Sequence, residues 1–106
     1  MREKRYLPYS GTVIACIPAY NAERSVRALV EKTKDYVDEV IVVNDGSLDN
    51  TALEAEGGGA KVISHPENLG YGSAISTCLK AGLGGGADII ITIDSDFQHD
   101  PSEIPI

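Results

Sequence analysis

Four short apolar runs recur along the chain: TVIACIP at 12–18, EVIVVN at 39–44, AKVIS at 60–64 and ADIIITID at 87–94. Each is rich in β-branched residues and nearly continuous, the pattern of a strand covered on both faces within a parallel sheet. Between the runs the apolar spacing becomes helical. After Asn21, predicted to act as an N-cap, Val26, Leu29, Val30 and Val37 recur with Thr33 on the same face. A second, weaker helix is predicted after Asp49, ending at the glycines Gly57 to Gly59, where left-handed backbone stops a helix at low cost. A third places Ala74, Ile75, Cys78, Leu79 and Gly82 on one face and ends at Gly84 to Gly86.

The resulting order, β-α-β-α-β-α-β with short loops, predicts right-handed crossovers and an α/β fold: a parallel sheet of about four strands with flanking helices. Residues 1–11 read as an N-terminal extension and 12–106 as one unit without repeat or linker. Ligands of such sheets sit beyond the carboxyl ends of the strands. The polar residues collect at those ends: Pro18-Ala19-Tyr20-Asn21, Asn44-Asp45-Gly46-Ser47, His65-Pro66-Glu67-Asn68 and Asp94-Ser95-Asp96.

Charge narrows the partners. Nine Lys and Arg against sixteen Asp and Glu give a net charge of −7, the wrong sign for following a phosphate backbone, so no nucleic-acid partner is expected. The basic start MREKR leads into LPYSG rather than an apolar segment, and no run approaches the length of a membrane span. Cys16 and Cys78 lack the local spacing of a zinc or redox motif and read as buried thiols, which fits a cytoplasmic setting.

The stretch DSDFQHDP at 94–101 carries the most pointed chemistry. Residues i and i+2 of an extended segment face the same way, so Asp94 and Asp96 are able to present two carboxylates to one point. Such a pair repels unless a cation sits between, and oxygen ligation suits Mg²⁺ or Mn²⁺, ions that complete their shell with water and substrate phosphates. The pattern alone equally describes a polar turn leaving a strand. Asp100-Pro101-Ser102-Glu103 has the arrangement of a capping box, which assigns Asp100 to a helix start. Asp45 suits a nucleobase or ribose as acceptor, although Asp-Gly is also a common turn dipeptide. Gly70-Tyr71-Gly72 lacks the third glycine of a dinucleotide fingerprint, and no Gly-Lys-Ser or Gly-Lys-Thr occurs.

Taken together, IPAYNAE (17–23), VVNDGSLDNT (42–51), HPENLGYGSAI (65–75) and DSDFQHDP (94–101) resemble the inverting nucleotide-sugar glycosyltransferases of family 2, with the GT-A fold, and among them the polyprenyl-phosphate mannosyl- and glucosyltransferases. The resemblance implies a nucleotide-sugar donor, an Mg²⁺ or Mn²⁺ cofactor, and a lipid-phosphate or saccharide acceptor. It places the nucleotide against Pro18, Ala19, Tyr20, Glu23, Asn44, Asp45, Gly46, Ser47, Asp94 and Ser95, with Pro18, Tyr20 and Asp45 at the base and ribose. The metal falls to Asp94 and Asp96, joined by Gln98.

The chain departs from the family pattern at Ala22, where an acid is usual and Glu23 follows instead, and at Asn44, where the first acid of an Asp-Asp pair is usual. The loop before the third helix lacks a customary basic residue, and Phe97 replaces a position that is often small. The family's catalytic base and acceptor site are expected beyond Ile106. The chain is accordingly expected to be a donor-binding half without turnover of its own, self-associating through an uncovered sheet edge and apolar helix faces, from a parent with possible membrane association. Two competing classes are a sugar-nucleotide nucleotidyltransferase, which wants a basic glycine-rich loop where this chain has PAYNAE, and a nucleotide- or metal-binding module without chemistry.

Overall fold

A computed structural model describes residues 11–95. Seven elements follow in order: β1 (Val13–Ala19), α1 (Val26–Thr33), β2 (Glu39–Asn44), α2 (Thr51–Gly58), β3 (Lys61–Ser64), α3 (Tyr71–Gly84) and β4 (Ile89–Thr92). The strands form one parallel sheet in the order β3-β2-β1-β4. β1 and β2 run in register from Ile14 opposite Glu39 to Ala19 opposite Asn44.

Every residue of β1 is buried, because its two faces serve two cores. Val13, Ala15, Ile17 and Ala19 join Val40 and Val42 under α1 and α2, against Val26, Leu29, Val30 and Ala55. Ile14 and Cys16 join Ile41 and Val43 under α3, against Ala74 and Cys78. A fully buried Ile or Val contributes about 1.5–3 kcal/mol relative to exposure, so the continuous β-branched runs explain why β1 and β2 take the centre of the sheet. β4 is half-buried, as befits a strand that pairs, among the described residues, with β1 alone.

The helices differ from expectation in instructive ways. Asn21 does not cap α1: the cap position is Ser25, and Asn21 adopts a left-handed φ of 50°. Its side chain is engaged elsewhere, with Oδ1 accepting from the Leu48 backbone N–H at 2.9 Å while its own N–H donates to Ser47 Oγ at 2.9 Å. Helix α1 ends at Thr33, so Val37 is buried in the same core from the loop beyond it. Leu79 was expected on the inner face of α3 but is exposed. The buried stripe is Ala74, Cys78 and Gly82 alone, small residues that let the helix lie close to the sheet; a Cβ on Gly82 would come within 2.6 Å of Ile90 Cδ1. Gly59 ends α2 with a left-handed φ of 104°, as predicted from the glycine run.

Both cysteines are free and buried. The Cys16 thiol donates to the Cys78 carbonyl at 3.3 Å, and its proximity together with burial pushes the Cys78 thiol up. A thiol so held is unreactive, in keeping with a packing role. Among the described residues no helix is long and apolar enough to cross a membrane.

Candidate nucleotide-sugar site

A cavity of about 350 Å³ opens at the carboxyl ends of β1, β2 and β4, lined by Pro18, Ala19, Tyr20, Asp45, Asn68, Gly70, Tyr71, Ala74, Asp94 and Ser95. Its position follows from topology. The strand order reverses at β1, with β2 on one side and β4 on the other, and the loops leaving neighbouring strands there diverge to opposite faces, opening a crevice.

Six residues expected at the nucleotide site line this cavity: Pro18, Ala19, Tyr20, Asp45, Asp94 and Ser95. Four others are not among its lining. Glu23 is exposed, and its N–H donates to Asp49 Oδ2 at 3.3 Å. Asn44 is buried beneath the turn, donating to Ser64 Oγ at 3.2 Å and accepting from the Ser47 N–H at 3.2 Å. Ser47 is thus tied to both Asn44 and Asn21. Gly46 has φ of 72° and lies against the backbone of Glu67 and Asn68. These residues build the turn that carries Asp45. Asp96, Gln98 and Asp100 lie outside the described residues.

Asp45 is the hub of the site. It is 4% exposed, and its Oδ1 accepts from His65 Nδ1 at 2.8 Å and the Leu69 N–H at 2.9 Å, while Oδ2 accepts from the Gly70 N–H at 2.9 Å. Burial by itself would raise its pKa; the hydrogen bonds from His65, Leu69 and Gly70 together outweigh it and hold the carboxyl below the usual range. Because a carboxylate only accepts, His65 carries its proton on Nδ1 towards Asp45. The other ring nitrogen, Nε2, meets Thr77 Oγ1 on α3 at 2.9 Å.

Asp94 lies two residues past the end of β4, with Ser95 in a turn. The strand expected to run through Asp94 ends at Thr92, although the Ile93 N–H still donates to the Cys16 carbonyl of β1 at 3.0 Å. The Tyr71 hydroxyl donates to Asp94 Oδ1 at 3.2 Å across the cavity. Among the described residues no group of three or more His, Cys, Asp or Glu is placed to hold a metal ion. A half-exposed carboxylate beside a cavity nonetheless fits the way Mg²⁺ and Mn²⁺ bind, through one or two carboxylates plus water and substrate phosphates.

Asn68, Gly70, Tyr71 and Ala74 were not among the expected site residues. Their signal was the glycine loop opening the third helix, which matched no phosphate motif but does deliver its first turn to the cavity. The Asp45–His65–Thr77 chain left no local trace, since its members are 20 and 12 residues apart.

A parallel sheet covered on both faces, with a cavity at its switch point, defines an α/β domain with a candidate ligand site at that rim. The chain belongs to glycosyl transferase family 2, whose description matches residues 14–106. It is 39% identical to the UDP-N-acetylglucosamine–dolichyl-phosphate N-acetylglucosaminyltransferase of Methanococcus voltae, over 83% of this chain and 42% of the relative. It is 38% identical to the glucosyl-3-phosphoglycerate synthase of Mycolicibacterium smegmatis, over 89% of this chain and 34% of the relative. Among solved structures, the glucosyl-3-phosphoglycerate synthase of Mycobacterium tuberculosis, in complex with Mn²⁺, uridine diphosphate and glucosyl-3-phosphoglycerate, superposes with a TM-score of 0.70 at 29% identity, covering 87% of this chain and 36% of that one. The same enzyme has been solved with Mg²⁺ and uridine diphosphate. The chain thus spans between a third and somewhat over two-fifths of the length of these relatives, and it has the GT-A-type architecture of its structural neighbours.

Proposed function

We propose that this chain binds a nucleotide-diphosphosugar donor, with a divalent ion, as the donor-binding part of an inverting glycosyltransferase whose acceptor is a polyprenyl phosphate or related phosphorylated molecule. The observation that carries this reading is the convergence of Pro18, Tyr20, Asp45 and Asp94 on one cavity at the strand switch point, in a chain of glycosyl transferase family 2. The M. voltae relative is named for a dolichyl-phosphate acceptor and a UDP-sugar, which supports the donor and acceptor classes.

Pro18 and Tyr20 offer flat apolar surface for a base, and Asp45 an acceptor within the cavity. Asp94, with Asp96 and Gln98 from beyond the described residues, would hold the ion. When bound, a divalent ion supplies compensation for the charge that develops on the departing nucleoside diphosphate. The acceptor oxygen attacks the anomeric carbon from the opposite side, inverting its configuration.

Calorimetric titration with UDP, with and without Mn²⁺, tests the reading. Asp94→Asn is expected to weaken binding in Mn²⁺ by about tenfold or more, equivalent to roughly 1.4 kcal/mol, and to leave metal-free binding nearly unchanged. Equal affinity of Asp94→Asn and wild type in Mn²⁺ would remove Asp94 from the ion's shell.

The outer edge of β4, unpaired among the described residues, and the exposed Leu79 and Leu83 of α3 support self-association of the chain, since a bare edge offers a row of backbone donors and acceptors. Sedimentation velocity across a concentration series is expected to show a growing dimer fraction; a monomer throughout would count against it.

A further inference from the structure

We infer that His65 and Thr77, neither of which lines the cavity, are positioning residues that set its far wall. The inference deepens the donor-binding reading and rests on it for the identity of the ligand.

The wall is loop 66–70 followed by the first turn of α3, and its geometry is fixed from behind. Thr77, one turn beyond Ala74 on α3, bonds His65 Nε2 at 2.9 Å. The ring thereby stands with Nδ1 on Asp45 at 2.8 Å, and the Asp45 carboxylate so oriented receives the N–H groups of Leu69 and Gly70, both at 2.9 Å. The next residue, Tyr71, reaches Asp94 across the cavity. A continuous path therefore runs from the body of α3 through two side chains to the loop, and onward to the carboxylate assigned to the ion. The start of the loop rests on the turn at Gly46, which lies against the backbone of Glu67 and Asn68; towards the cavity the packing is looser, with nothing within 4 Å of where a Cβ on Gly70 or Gly72 would be and Leu69 exposed. That looser end, at Leu69 and Gly70, takes its position from its tethers to Asp45.

The two ring nitrogens make the assignment specific. Asp45 accepts only, so Nδ1 carries a proton, and Nε2 pairs with the Thr77 hydroxyl, a group able to donate or accept, which fixes the ring's orientation from the helix side. Removing the hydroxyl leaves Nε2 without its anchor and the ring free to turn, while the carbon skeleton of the core stays intact.

The test uses Thr77→Val and Thr77→Ser, with two readouts. In the ligand-free chain, the amide proton resonances of Leu69 and Gly70 are expected to move upfield in Thr77→Val, as their bonds to the carboxylate lengthen, and to return in Thr77→Ser. Affinity for UDP with Mn²⁺ is expected to fall about three- to tenfold in Thr77→Val, the scale of one hydrogen bond, with the thermal midpoint little changed, and to recover in Thr77→Ser. Should Thr77→Val fail to fold, His65→Asn serves instead, since its amide keeps a donor near the Nδ1 position and loses the link to Thr77. Unmoved Leu69 and Gly70 amides overturn the clamp whether or not UDP binds. Moved amides with unaltered affinity overturn its role in the cavity. Absence of UDP binding by the wild type, with the amides moving as expected, overturns the donor reading and leaves the clamp standing.

Discussion

Asp45→Asn is expected to destabilise the chain by about 2–4 kcal/mol and to abolish measurable nucleotide binding, because three donors lose the buried carboxylate they share. Two of those donors meet Oδ1 and one meets Oδ2. An asparagine amide has a single acceptor oxygen, so whichever way it turns, its NH₂ group faces at least one N–H. The loss should show in urea unfolding as a lower midpoint at unchanged slope. It should also depend on pH in a definite direction. The Asp45 carboxyl is held below its ordinary value of 3.8 in the folded chain, so its contribution is fully present above that value and disappears as the pH falls through the depressed one. The gap between wild type and Asp45→Asn is accordingly expected to be constant above about pH 5 and to narrow in stronger acid. A gap that widens on acidification would mean that the carboxylate is not the acceptor that holds the loop.

Gly46→Ala should cost about 2–5 kcal/mol, the sum of a left-handed backbone penalty and of overpacking. The φ of 72° is one that L residues adopt at a price in strain, and a Cβ there would stand 2.2 Å from the Glu67 carbonyl carbon and 2.4 Å from the Asn68 nitrogen. Both are backbone atoms and have no rotamer by which to retreat, so the loop itself must move, carrying Asn68 and Gly70 away from the cavity. Gly72→Ala provides the control: nothing lies within 4 Å of that added Cβ, and stability should be unchanged or slightly raised. Unfolding curves for both variants decide the matter; equal stability of Gly46→Ala and wild type would show that the turn and the loop are not in contact. Unlike Asp45→Asn, Gly46→Ala should retain the acid dependence, which separates crowding from lost hydrogen bonds.

How much of this was legible in advance depends on the range of the interaction. The strands were plain, since β1 and β2 are continuous β-branched runs buried on both faces, and their carboxyl ends located the rim that holds the cavity. Helix ends were harder. Asn21 has the chemistry of a cap, but its side-chain oxygen accepts from the Leu48 N–H and its backbone N–H donates to Ser47 Oγ, contacts made across 27 and 26 residues, and local propensity carries no information about them. Leu79 follows the helical apolar spacing yet faces outward, because the small residues Ala74, Cys78 and Gly82 bring α3 so close to the sheet that the buried stripe is narrow. Among the site residues, Pro18, Tyr20, Asp45 and Asp94 were visible as unusual groups at strand ends. Asn68 and His65 stood at the end of the third strand and Tyr71 in the glycine loop, but their roles came only with the fold, Asn68 and Tyr71 as cavity lining and His65 through partners on β2 and α3 that no spacing rule connects.

The asparagine at position 44, where the resemblance led to an acid being expected, has a further consequence, electrostatic rather than structural. Its amide does what a carboxylate is unable to do, donating to Ser64 and accepting from Ser47 together. The end of β2 thus carries one negative charge instead of two, and that one, on Asp45, is already surrounded by three donors. In a chain of net charge −7, an approaching anion meets less repulsion at this rim than it would with paired acids there, and on the proposed reading its attraction to the site would rest more heavily on a cation held at Asp94.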